Sequence, residues 1–325
     1  LNCRRLNMRL GITLQETYTL VLVVLVLLAI IGTSYCQWAI RKAVDPEQIE
    51  RIRVVNSRVK MGWWLIIVFT LAFWAGQNVL LIVFALVSFF TFREFVALTP
   101  IKVSDHWALV VSFYIVIPLQ YILIGLDRYW LFTVFIPVYL FLLLPVLMSL
   151  RPDNDRFLER VAKIQWGVML SVYCISHAPA ITNFDITRFG SSPSLLLLFY
   201  LLIVFLGDLF VVMASSYFGG KTLRDTPHKT VKGILVGGFI TILVGYALFW
   251  MTPFRTWQAL VMATIIVVTG AFGDIVISSV KRSLGSRFLD GDKYIGRGNL
   301  ERLAPLMFSA PIYYHITQAY FSANW

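Results

Sequence analysis

The chain has 325 residues, 58 % of them hydrophobic and 14 % charged, and a mean hydropathy of +0.77, which excludes an ordinary soluble domain. Its net charge of +11 reads as basic loops gathered on one side of a bilayer and not as a nucleic-acid surface, since nothing beyond charge points to one. Cys3, Cys36 and Cys174 show no metal-ligand spacing and imply neither a zinc site nor a disulfide framework.

Apolar runs near the length that spans a bilayer predict an all-α, polytopic integral membrane protein with about 9–10 transmembrane helices, near 17–40, 62–76, 78–92, 107–125, 130–149, 165–181, 193–217, 233–251, 258–280 and 304–321. The first run lacks a small-residue cleavage pattern and reads as a retained span, not a signal peptide. The second and third are short and meet at Gly76, Gln77 and Asn78, which predicts a tight hairpin or one irregular pair. Segments 41–61, 93–106, 150–164, 218–232 and 281–303 read as loops and hold 22 of the 28 Lys and Arg residues, whereas the loops between them hold only Arg128, Arg188 and Arg255. The basic side is therefore expected to face the cytoplasm, with Arg4, Arg5 and Arg9 alone against the pattern. Three regions follow: 1–60, a first helix and basic loop; 61–190, the middle helices; and 191–325, where the chemistry concentrates.

Of the 17 acidic residues, only Asp208 and Asp274 lie inside apolar spans. A carboxylate at membrane depth costs about 2.5–3.5 kcal/mol on insertion scales, so each is a functional-site candidate. Both sit near the expected cytoplasmic ends of spans running in the same direction, and are placed to face one cavity. Asp274, Ser278 and Lys281 follow i, i+4, i+7 spacing on one helical face. Two loops supply anion donors: FGGKTLRDTPHKTVK (218–232), with Lys221, Arg224, Lys229 and Thr230, and KRSLGSRFLDGDKYIGRGNLERL (281–303). Neither contains a P-loop or a dinucleotide fingerprint. With the two carboxylates they point to a phosphate-rich substrate and a divalent cation. His177 and His315 lie within spans and read as histidines bonded to neighbouring helices. Trp63, Trp64, Tyr129 and Trp130 read as interfacial belts.

Ser278, Lys281 and Arg282, with Gly298 and Arg302 downstream, keep the spacing of a C-terminal signature that runs Ser, two residues, Lys-Arg, then Lys-Asp, a Pro-Gly-His-Gly-Gly turn and Asp-Arg-x-Asp. Asp208, Phe218-Gly219 and the stretch from Thr226 to Gly233 resemble its upstream partner, an Asp, an aromatic-Gly turn and a Ser-Pro-x-Lys-Thr-x-Glu-Gly loop. In these residues the chain resembles the phosphatidate cytidylyltransferases (CDP-diacylglycerol synthases) over roughly 193–315. It departs from them at Arg287 and Phe288, at the turn 294–298, at Ala304 in the closing motif and at Lys232 in the loop, which marks a divergent member.

The resemblance implies transfer of a cytidylyl group from CTP to phosphatidate or a related anionic phospholipid, in a bacterial inner membrane, by a homodimer. It implies Mg²⁺ held by Asp208, Asp274 and Glu301, with Lys281, Arg282 and Arg302 neutralising charge. Lys229 and Thr230, beside Lys221 and Ser278, would bind substrate. Two other classes stay open: a catalytically weak or silent relative acting as a regulator, which the lost acids favour, and an ion-coupled transporter using the two Asp residues as a relay.

Overall fold

The basic stretch after the first span is helical. In the computed structural model, which describes residues 14–99, 102–150, 155–186, 192–223, 226–283 and 298–323, α1 (Leu14–Lys42) is followed after a short turn by the 30-residue α2 (Pro46–Ala75). Pro46 opens α2 where an amide hydrogen is not needed. No later proline interrupts it, and Arg51, Arg53, Arg58 and Lys60 are good helix formers whose charge says nothing against a helix. The span expected at 62–76 is thus the second half of a longer helix. In the same way α3 (Gln77–Leu98) runs past 92 and takes Glu94 with it. The two helices turn on Gly76 at φ 84°, a left-handed backbone that glycine adopts without strain, and the expected hairpin forms there.

The middle of the chain contains α4 (His106–Gly125), α5 (Tyr129–Ser149) and α6 (157–180), each with one wider π-helical turn, at Ser112–Val116, Phe135–Leu140 and Met169–Cys174. Then come α7 (Pro193–Phe218), a two-stranded ribbon of β1 (Thr222–Leu223) and β2 (Thr226–Thr230), α8 (Val231–Ala247), α9 (Thr256–Ser283), the short α10 (Asn299–Arg302) and α11 (Ala304–Ala323). Six of these helices among the described residues, α1, α3, α4, α5, α7 and α9, are long and apolar enough to cross a membrane; α8 is a shorter apolar helix. The chain is an all-α polytopic membrane protein. Within 218–232, a loop by the sequence reading, β1 and β2 pair antiparallel, with Thr222 opposite Thr230.

At the centre stands α7, buried without a break from Leu195 to Ile203, as befits a helix that is apolar all round. Tyr200 ties it to α11, its hydroxyl donating to the Leu306 carbonyl at 3.1 Å and lying 2.8 Å from Ser309 Oγ. α8 crosses α7 on a row of small residues spaced by four, Gly233, Gly237, Thr241 and Gly245. A Cβ at Gly237 would fall about 2.6 Å from the backbone of Phe210 and Val211, so the two backbones touch, as small-residue rows in membranes permit. Gly237→Ala is therefore expected to destabilise the bundle by about 1–3 kcal/mol. Thermal unfolding in detergent checks this, and an unchanged midpoint would mean that the two helices do not cross there. α11 begins on α9 in the same close way, with Pro305 over Gly270 and the Ala304 carbonyl over Gly273. His177 differs from expectation: its Nδ1 donates to Tyr173 O at 2.7 Å, one turn back on its own helix, while its ring packs against that of His315. A helical carbonyl one turn away is the nearest acceptor a buried imidazole meets.

Candidate active site

Asp208 on α7 and Asp274 on α9 line one small recess of about 30 Å³ whose other walls, from α7, α8, α9 and the start of α11, are apolar. Each carboxylate stands about 14–15 Å before the end of its helix. The third polar group in the recess is Lys229 of β2, whose Nζ donates to Asp208 Oδ1 at 2.6 Å and to Asp274 Oδ2 at 2.5 Å. All three side chains are buried. Isolated carboxylates would not stay ionised in such surroundings, and the shared ammonium is what allows both to do so. Burial works against the charge on Lys229, but Asp208 and Asp274 more than offset it, so its pKa stands above the ordinary lysine value.

The ribbon explains how a lysine so close to a helix end comes to point inward. The Thr230 amide donates to Ser215 Oγ at 3.0 Å, and the Thr230 hydroxyl accepts from the Gly233 amide at 3.0 Å, capping α8. Lys229 is thereby fixed between α7 and the first turn of α8.

Two residues of α2 complete the cluster. Arg58, about 18 Å along α2 from Pro46 and only 3 % exposed, brings Nη1 within 3.1 Å of Asp208 Oδ2. Its neighbour Ser57 accepts a hydrogen bond from Arg302 Nη2 at 2.8 Å. Arg302 is carried by α10, and α10 is held from outside: Glu94 of α3 accepts from the amides of Asn299 at 2.7 Å and Leu300 at 3.3 Å, and Gly298 leaves room for that carboxylate, which a Cβ there would overlap. Burial, and next the charge of Arg58, hold the Arg302 pKa below its ordinary value.

The structure thus brings together Asp208, Asp274 and Lys229, with Arg302 and Arg58 beside Asp208. Lys281 and Glu301 pair with each other, Nζ to Oε2 at 3.1 Å. Among the described residues no third acid, histidine or cysteine joins Asp208 and Asp274 in a metal-binding group, so Glu301 stands apart from them. Ser278 is buried one turn beyond Asp274, and Arg282 lies in the last turn of α9. The Thr230 hydroxyl serves the α8 cap, and Lys221 is exposed at the start of the ribbon. Arg287 and Phe288 lie outside the described residues. Sequence reasoning missed Arg58, Ser57 and Glu94, because 41–61 and 93–106 were read as loops. The signal that would have found Ser57 and Arg58 is the stretch of strong helix formers that follows Pro46 without another proline.

Ala304 is fully buried against α9 at Gly273, the residue before Asp274. Ala304→Asp would bury a further carboxylate beside an acid already balanced by Lys229, at a cost of several kcal/mol. It is expected to lower the unfolding temperature in metal-free detergent. Recovery on adding Mg²⁺ is the outcome that would reveal a restored three-acid site.

Two carboxylates converging on one cation are a donor set that also suits a hard divalent ion whose remaining ligands are substrate phosphates, and Asp208 and Asp274 are the residues that would hold it. The chain is 32 % identical over 272 residues to the "Uncharacterized protein YnbB" of Escherichia coli (strain K12), covering 80 % of this chain and 86 % of that protein. It is 30 % identical over 127 residues to the phosphatidate cytidylyltransferase of Aquifex aeolicus (strain VF5), which covers 36 % of this chain and 47 % of that enzyme. With the enzyme of the same name from Chlamydia pneumoniae the identity is 31 % over 116 residues, 33 % of this chain and 37 % of the relative. The chain therefore matches less than half the length of each of these two enzymes. The profile described as "Cytidylyltransferase family" matches residues 56–320, a stretch that opens just before Ser57 and Arg58 and runs through the whole ionic cluster to α11. By that match the chain belongs to the cytidylyltransferase family.

Proposed function

We propose that the chain transfers the cytidylyl group of CTP to phosphatidate, or to a related anionic phospholipid, giving CDP-diacylglycerol and pyrophosphate. The observation that carries this reading is the recess, whose apolar walls end on the Asp208, Lys229 and Asp274 cluster. Such a shape suits an acceptor that keeps its acyl chains in the bilayer and brings a phosphate to the polar end. The protein is placed in a bacterial inner membrane, and the distribution of Lys and Arg supports an orientation with this end toward the cytoplasm, where the nucleotide is.

In the reaction an oxygen of the lipid phosphate attacks the α-phosphorus of CTP. A new P–O bond forms, the bond between the α- and β-phosphates breaks, and pyrophosphate leaves. The attacking oxygen is ionised at neutral pH, so alignment and charge stabilisation do the work of catalysis and no general base is needed. Lys229 balances the paired carboxylates and lies within reach of an incoming phosphate. Lys281, Arg282 and Arg302 neutralise the charge that develops in the reaction, while Lys221, Thr230 and Ser278 border the nucleotide. Mg²⁺, when bound by Asp208 and Asp274, would neutralise phosphate oxygens.

The test is incubation of the purified protein in liposomes with phosphatidate, Mg²⁺ and each labelled nucleoside triphosphate in turn. Label from CTP alone should enter the lipid fraction, and only when phosphatidate is present. No lipid-borne label from any nucleotide would overturn the reading. It would instead favour a silent relative, to which the apolar Ala304 in the closing motif also points.

A further inference from the structure

Arg58 and Arg302 each keep a buried N–H without an acceptor. Arg58 Nη1 makes an ion pair with Asp208 but no directed hydrogen bond, and Arg302 Nε has no partner although Nη2 of the same guanidinium is bonded to Ser57. The groups are close. Ser57, the residue before Arg58, accepts from Arg302, and both guanidiniums act electrostatically on Asp208. A buried guanidinium donor left unpaired is costly, and the acceptor that satisfies two such forks at once is an anion with several oxygens. The neighbouring acids do not fill that role. Glu94 accepts from the amides at the start of α10, and Glu301 accepts from Lys281.

We propose that Arg58 and Arg302 form a two-guanidinium subsite for a phosphate oxyanion, occupied by the phosphate of the lipid acceptor and not by the nucleotide. The inference rests on the reading of the chain as a lipid cytidylyltransferase and assigns one of its substrates a place. Position decides between the two sources. Arg58 is buried against Asp208, at the polar end of the apolar recess, where a phosphate still attached to acyl chains arrives from the bilayer. The cations at helix ends, Lys281 and Arg282 in the last turn of α9 and the exposed Lys221, lie on the outer side, where a soluble triphosphate arrives.

Binding of phosphatidate in mixed detergent micelles to the full chain tests this, with diacylglycerol, CTP and inorganic phosphate as separate arms. Arg58→Gln and Arg302→Gln should each weaken phosphatidate binding roughly tenfold, and Arg58→Lys should recover part of the loss. Diacylglycerol binding should not change in any variant, and CTP binding should not change in Arg58→Gln. If Arg58→Gln fails to fold, Arg58→Lys carries the comparison, because it keeps the charge on Asp208 and loses only the fork. Unchanged phosphatidate affinity overturns the proposal. So does a loss of CTP binding equal to or greater than that of phosphatidate, and so does inorganic phosphate binding as tightly as phosphatidate. Arg58-dependent phosphatidate binding in a protein that transfers no cytidylyl group would leave the subsite standing and remove the proposed reaction.

Discussion

Lys229→Met is expected to lower cytidylyl transfer by roughly two to three orders of magnitude and to destabilise the fold by about 3–5 kcal/mol. Both effects have one origin. Lys229 is 5 % exposed and bonded to two carboxylates that are themselves buried, and its removal takes from Asp274 the cation it is bonded to and leaves Asp208 with its ion pair to Arg58. Methionine keeps the length of the side chain, so the loss is one of charge and not of packing. The two effects separate in a double variant. Lys229→Met with Asp274→Asn removes one negative charge along with the positive one, and should regain part of the stability and none of the turnover. Unfolding in detergent and CTP-dependent labelling of lipid, run on the same preparations, read the two quantities. A single variant that retains both stability and turnover would show that Lys229 does not bridge the acids in the working protein.

Asp274→Asn alone is the second large effect. The amide has the shape of the carboxylate and can still accept from Lys229, but it has lost the charge that would hold a divalent cation against phosphates. Turnover should fall by about a hundredfold or more, and what remains should respond weakly to Mg²⁺. Stability should change far less than in Lys229→Met, because the lysine keeps its bond to Asp208. Measurement of turnover against Mg²⁺ concentration in wild type and variant checks this. An unaltered Mg²⁺ response in a folded protein would remove Asp274 from the mechanism.

Much of this site is written in composition. An acid inside an apolar run is rare enough that Asp208 and Asp274 stand out unaided, and their similar distance from helix ends follows from a fixed rise per residue. The apolar runs likewise place α4, α5, α7 and α9 to within a few residues. What sequence reading misses is where a helix continues past the hydrophobic layer. Arg51, Arg53, Arg58 and Lys60 look like a loop to a hydropathy window, yet they are good helix formers, and Arg58 is buried because its partner is an acid 150 positions later in the chain. Glu94 is hidden for the same reason. Nor does sequence show that Lys229 turns inward, since this depends on the ribbon and on the bond from the Thr230 amide to Ser215.

The long α2 changes what counts as a module in this protein. The residues shared with the family signature all lie in α7 to α10, and a fragment beginning after Gly76 would keep every one of them. It would nonetheless leave Asp208 without the guanidinium on its second oxygen and Arg302 without its hydroxyl anchor. The first two helices are therefore not an exchangeable membrane anchor. In a chimera that borrowed residues 1–75 from a relative, the borrowed helix would set the charge balance at Asp208, and the donor of that helix, more than the donor of the signature, would decide whether the hybrid works.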